Sequence, residues 1–109
     1  LSGSSDVWIG SEREATNPLF SVWCCLKRQT YAGEILDPEE TITIRQALRM
    51  HTIDAAAVLG EGDLRGSLAP GKLADVIVLD RNPEAVLVDE LRRIKVQRVW
   101  SAGREVWTA

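Results

Sequence analysis

Few side chains in this chain can do chemistry, and most of them stand apart from one another. Asp6 closes the run Ser4-Ser5-Asp6, just after what reads as the end of a strand. A carboxylate at the C-terminal end of a parallel strand is a favoured catalytic position. The plainer alternative is a surface or helix-capping aspartate, the usual place for that side chain. Trp8, two residues further on, is the one tryptophan in a loop and so a candidate pocket wall. His51 is the sole histidine and lies seven residues after Ile44, on the apolar face of a helix. A metal site needs three or four converging ligands, and nothing at ligand spacing surrounds it. His51 therefore reads as a hydrogen-bonded core side chain. Cys24 and Cys25, the only cysteines, are adjacent and inside a helical stretch. They read as packed thiols rather than a reactive pair or a bridge. Gly66 to Lys72 has the spacing of a phosphate loop, but Leu73 replaces the serine or threonine. Pro70 removes an N–H, and a strand follows instead of a helix, so nucleotide binding is rejected.

The elements that must position these residues follow a clear order. Residues 1–16 are rich in serine, glycine and charge and read as a loop after the end of a strand. Asn17-Pro18 is a helix start, with Leu19, Val22, Trp23 and Leu26 at helical spacing. Trp23 belongs to the core. Thr43 and Gln46 fit a capping box that opens one long second helix. Its apolar face is Ile44, Ala47, Leu48, Ala55, Val58 and Leu59, and Gly60 supplies the left-handed cap. Pro70-Gly71 suits a type II turn. LADVIVLD reads as a buried strand, and VDELRRI as a short helix capped by Asp89. KVQRVWS and REVWT form a hairpin about Ala102-Gly103, with Trp100 and Trp107 placed to stack across it. Helices precede strands, which gives a mixed α/β chain with a small C-terminal sheet.

Composition narrows the function classes. The chain has 109 residues, enough for one domain, and is 45% hydrophobic and 27% charged, which excludes a disordered segment. Net charge is −3 with no basic block, so no nucleic-acid partner is expected. The longest apolar stretch, Leu19 to Leu26, is too short to span a bilayer, so no membrane role is expected. No basic-then-apolar leader is visible, and a cytoplasmic protein is the default expectation. The only methionine is Met50, so the chain reads as a piece of a longer parent protein.

At GSLAPGKLADVIVLDRNP the sequence resembles the C-terminal signature of the amidohydrolase superfamily. SSD at Ser4 to Asp6 is similar to the segment that ends barrel strand eight in that family. NPLFSVWCCLKRQT resembles the helix after it, and ETITIRQALRMHTIDAAAVLG the helix joining barrel to sandwich. DELRRIKVQRVWSAGREVW resembles the closing strands. NPL, DPEE, GKLAD, LDRNP and DELRRIKV together are most similar to the branch containing N-substituted formamide deformylases.

The resemblance implies a fold and a chemistry. Residues 1–59 would be the end of a TIM-barrel catalytic domain: strand-eight loop, following helix and linking helix. Residues 60–109 would be the C-terminal part of a small β-sandwich. Asp6 would contact a divalent metal, zinc by expectation, and handle the proton of an attacking water, with Trp8 as a substrate-pocket candidate. The reaction would be hydrolysis of a C–N bond in a small amide-like, non-peptide substrate. Asp75 matches a family position in the sandwich rather than at the active site. The family usually has glycine where Ser4 stands, and often a small residue then proline at Val7-Trp8. Its other metal ligands would come from an N-terminal part of the same protein. The chain alone is therefore expected to hold no metal, to be inactive, and to self-associate through faces that lack partners. The competing expectation is a non-catalytic remnant or assembly module.

Overall fold

The computed structural model describes residues 1–4, 14 and 16–109. Helix α1 spans Pro18–Lys27 and starts as its sequence dictates. The Asn17 side chain accepts from the Leu19 amide at 3.0 Å, and Pro18 occupies the first turn. Arg28 ends the helix in a left-handed conformation, its N–H bonded to the Cys24 carbonyl. Leu19, Val22 and Trp23 form the buried face.

A first 3₁₀ segment, η1, is Pro38–Glu40, and a second, η2, at Val88–Arg93 covers that face. Leu91 and Ile94 join Leu19, Val22, Trp23 and Ala47 in the main core cluster. Asp89 does not cap η2. One carboxylate oxygen accepts from Trp23 Nε1 at 3.2 Å, and the other pairs with Lys27 Nζ at 2.9 Å. These bonds hold Asp89 below the usual carboxylate range, with the Lys27 bond the larger cause and the Trp23 bond the next. Phe20 stacks on Trp23, and the Arg92 guanidinium lies 4.7 Å from the Trp23 ring and 5.2 Å from that of Phe20. A cation over aromatic faces and a buried apolar contact thus fasten η2 to α1.

The long second helix is interrupted. Helix α2 runs Ile44–Met50 and α3 Ile53–Val58. The Thr43–Gln46 capping box is present in both directions. At the break, the amides of His51 and Thr52 bond back three residues to Leu48 and Arg49, and Thr52 Oγ1 donates to the Leu48 carbonyl. Tight i→i−3 closure and hydroxyl back-bonding both end an α-helix. A third contact at the break is remote in sequence. A Cβ built on Gly66 would stand 2.8 Å from both Ile53 Cα and Ala56 Cβ, so the Gly66 loop presses against the start of α3. Beyond α3, Gly60 takes φ +73°. Its amide bonds Ala57 and that of Glu61 bonds Ala56, the paired pattern of a Schellman cap.

Three antiparallel strands follow: β1 Val76–Leu79, β2 Val96–Ser101 and β3 Arg104–Thr108, in spatial order β1-β2-β3. Ala102 and Gly103 both have positive φ, as a two-residue hairpin turn of type I′ requires. The expected stacking of Trp100 on Trp107 does not occur. Trp100 stands opposite Glu105, and a register shift sets Trp107 opposite Val99. β1 is also not buried: Ile77 is 55% exposed and Val78 43%. Its apolar run is suited to a sheet covered on both faces, and among the described residues only Leu79 of β1 packs against the core cluster. The α/β class, with helices before strands, agrees with the sequence reading. No helix among the described residues is long and apolar enough to cross a membrane.

Candidate functional site

Asp6 and Trp8 both lie outside the described residues. What the structure places is their approach. Gly3 donates its amide to the Met50 carbonyl at 2.9 Å, so the chain three residues before Asp6 is tied to the end of α2. Gly3 also lies against His51, for a Cβ built on it would meet three ring atoms at 2.4–2.8 Å. The hydrogen-bonded core histidine expected from the sequence, His51, is half-buried, and its buried Nε2 finds no hydrogen-bond partner among the described residues. The ring sits at the helix break, where packing rather than a hydrogen bond through Nε2 holds it. Burial pushes its pKa below 6.5.

Beneath this junction is a cavity of about 430 Å³. His51, Ala56, Leu59, Leu68 and Ile77 line it, with Arg65 and Asp75 at its polar side. Arg65 is already engaged. Its Nη1 bonds Asp75 Oδ2 at 2.8 Å, and its Nε forms an off-line ion pair with Glu61 at 3.0 Å. Asp75 Oδ1 accepts from the Ala102 amide at 2.8 Å. Asp75 therefore ties the β2–β3 turn to the 61–66 loop, a structural task consistent with the family position it matches. Arg65 Nε is buried without a hydrogen bond, and the lining is mainly apolar, so this is a groove lined from α3 and β1 without a nucleophile–base pair among the described residues.

The two thiols have no activating neighbourhood. Burial raises both Cys24 and Cys25, and Cys25 adds to the rise at Cys24. A raised thiol has less thiolate and is less nucleophilic, so the packed-thiol reading stands. No group of three or more His, Cys, Asp or Glu converges among the described residues. Those residues therefore do not fit a metal ion by themselves. Sequence reasoning missed Gly3, because the reason for a glycine there is a ring 48 positions away. Gly66 was noticed only as part of a rejected phosphate loop, and its close approach to α3 has no local signature.

The order of elements, the GKLAD turn and strand, and the closing hairpin all agree with a match to the Amidohydrolase family over residues 1–107. The chain belongs to the amidohydrolase family. It is 40% identical over 87 residues to the N-substituted formamide deformylase of Arthrobacter pascens, a match covering 80% of this chain and 16% of that protein. It is 31% identical over 111 residues to the 5-methylthioadenosine/S-adenosylhomocysteine deaminase of Teredinibacter turnerae, covering 93% and 25%. The crystal structure of an amidohydrolase from Thermotoga maritima shares the fold, with a TM-score of 0.62 at 23% identity over 84% of this chain and 19% of that one. The chain thus spans a quarter or less of the length of these relatives. The branch suggested by NPL, DPEE and LDRNP agrees with the deformylase match.

Proposed function

We propose that this chain is the C-terminal portion of a metal-dependent amidohydrolase that hydrolyses C–N bonds in small, amide-type, non-peptide substrates. The observation that carries this reading is the family match across residues 1–107. Likeness to a deformylase and a deaminase, whose reactions both break C–N bonds, supports it further. In this reading residues 1–59 end the TIM barrel and residues 60–109 belong to the sandwich. The position of the helices before residue 60 and of the sheet after it supports that division. The described core crosses it, since Leu91 and Ile94 pack on α1.

Asp6 is the catalytic contribution of this chain. It accepts a proton from the attacking water and returns it to the leaving nitrogen, base then acid. Asp6, together with ligands from the upstream part of the protein, would hold a divalent metal such as zinc, which would supply Lewis acidity toward the water. Trp8 would form part of the substrate wall. The 109-residue chain alone is inactive, because one aspartate does not make a metal site.

The test is Asp6→Asn in the parent protein, with an N-substituted formamide as substrate. A fall in kcat of at least ~10²-fold is expected. Unaltered kcat would remove Asp6 from the chemistry. A calorimetric titration of the isolated chain with zinc is expected to show no tight stoichiometric binding.

One observation favours a second reading, an assembly module that only folds and self-associates. Ile77, Val78, Val106 and Trp107 leave apolar surface exposed on the sheet. Sedimentation of the isolated chain separates the two. A concentration-dependent dimer, with no turnover in any longer form of the protein, would favour the module.

A further inference from the structure

We infer that His51 is a positioning residue for the segment that carries Asp6, acting as a flat platform under Gly3. The inference rests on the acid–base role given to Asp6 above. A Cβ built on Gly3 would stand 2.4 Å from His51 Cε1, 2.6 Å from Nε2 and 2.8 Å from Nδ1. These atoms belong to one planar ring, so the Gly3 backbone rests directly on the imidazole. The Gly3 N–H bond to Met50 fixes the height and register of that contact.

The platform has little freedom to withdraw. His51 caps the end of α2, and its amide bonds the Leu48 carbonyl at 3.1 Å. One residue on, the Thr52 carbonyl would lie 3.1 Å from a Cβ on Gly66. Two close approaches, by Gly3 and by Gly66, therefore meet at the same break between α2 and α3. At each, an added Cβ would force a neighbour to shift.

The imidazole makes no hydrogen bond through Nε2 among the described residues, although that atom is buried. A ring used for proton transfer would present a nitrogen to a partner or to solvent. Among the described residues Nε2 meets no such partner, and the contact they show for the ring is the face it presents to Gly3. Placement matters because a displacement of about 1 Å at a catalytic group can cost on the order of 10²-fold in rate.

A cycle of substitutions tests this, read in two ways. Hydrogen exchange of the residue-3 amide in the full chain reports the contact. The split between kcat and KM in the parent enzyme reports its consequence at Asp6. Gly3→Ala is expected to speed amide exchange tenfold or more and to lower kcat with KM nearly unchanged. His51→Phe, which keeps a flat ring, is expected to leave both within about threefold. Gly3→Ala combined with His51→Ala is expected to recover much of what Gly3→Ala alone loses. A double variant no better than Gly3→Ala, or His51→Phe as damaging as Gly3→Ala, overturns the platform. Faster exchange in Gly3→Ala with unchanged kcat removes the link to Asp6 while leaving the hydrolase reading intact. Full hydrolysis by Asp6→Asn removes the role of Asp6 and this inference with it.

Discussion

The helical region and the sheet are built from similarly apolar sequence, yet only one has a core. Leu19, Val22 and Trp23 on α1 are 1–9% exposed, beneath Leu91 and Ile94. On β1, Ile77 and Val78 are 55% and 43% exposed, and every residue of β3 is exposed. The difference is not in propensity, since β1 and the β2–β3 hairpin both form paired ladders, each with one register shift. It lies in layers. The α1 face finds a lid in η2 within the same chain, whereas from β1 only Leu79 packs against that core among the described residues.

The largest expected effects fall on the helical side. Trp23→Ala is expected to destabilise the chain by about 3–5 kcal/mol, and Leu91→Ala by about 2–5 kcal/mol, from lost burial and the cavity left behind. By contrast, Ile77→Ala is expected to shift stability by no more than about 0.5 kcal/mol, as for an exposed site. Urea denaturation of the three variants at low protein concentration measures this contrast. A cost at Ile77 approaching that at Leu91 would break it, and would mean that another layer covers β1 in solution.

Gly66→Ala probes the connection between the two regions. Its Cβ would press on Ile53 and Ala56, and its φ of +90° is unfavourable for alanine. A cost of about 1–3 kcal/mol from overpacking is expected, with the left-handed backbone adding to it. Thermal melting decides the matter. A neutral Gly66→Ala would show that the loop does not wedge the α2–α3 break.

Smaller effects come from pH and separate the two regions further. His51 has its pKa lowered in the folded chain by burial. Below 6.5 the unfolded chain takes up a proton that the folded chain resists. Stability at the helix break therefore falls as pH drops from 6.5 toward the folded pKa, and His51→Phe should remove that part of the slope. Asp89 is lowered from 3.8, so its contribution to the α1–η2 clamp is present above that value. It is lost as pH falls through the folded pKa. Melting curves at pH 7.5, 5.5 and 3 resolve the two windows. A slope between 7.5 and 5.5 that survives His51→Phe would show that another group titrates there.

Signals contained within a few residues were legible in the sequence. Asn17-Pro18, the Thr43–Gln46 box, Gly60, Pro70-Gly71 and the Ala102-Gly103 turn each act over one turn of chain, and each is found where expected. Cooperation across distance was not legible. Asp89 looked like a cap because acidic residues cap helices, yet its partners are Trp23 and Lys27, over 60 positions away. The helix break escaped notice because the apolar face continues in phase from Ile44 to Leu59, while the close approach of Gly66 to the break is remote in sequence. The tryptophans were mispaired because the two-residue turn sets Trp100 opposite Glu105, two positions along β3 from Trp107.

For the candidate site, Asp6 was singled out from its place after a strand and from the family resemblance. Gly3 and His51 as a contacting pair came only from the folded chain. By itself the sequence determined the family, the order of helices and strands, and their caps and turns, because these depend on short-range chemistry. The tertiary structure decided which apolar faces are covered, where the second helix breaks, and what the lone histidine touches. Those outcomes depend on which distant segments meet, and only packing in three dimensions settles that.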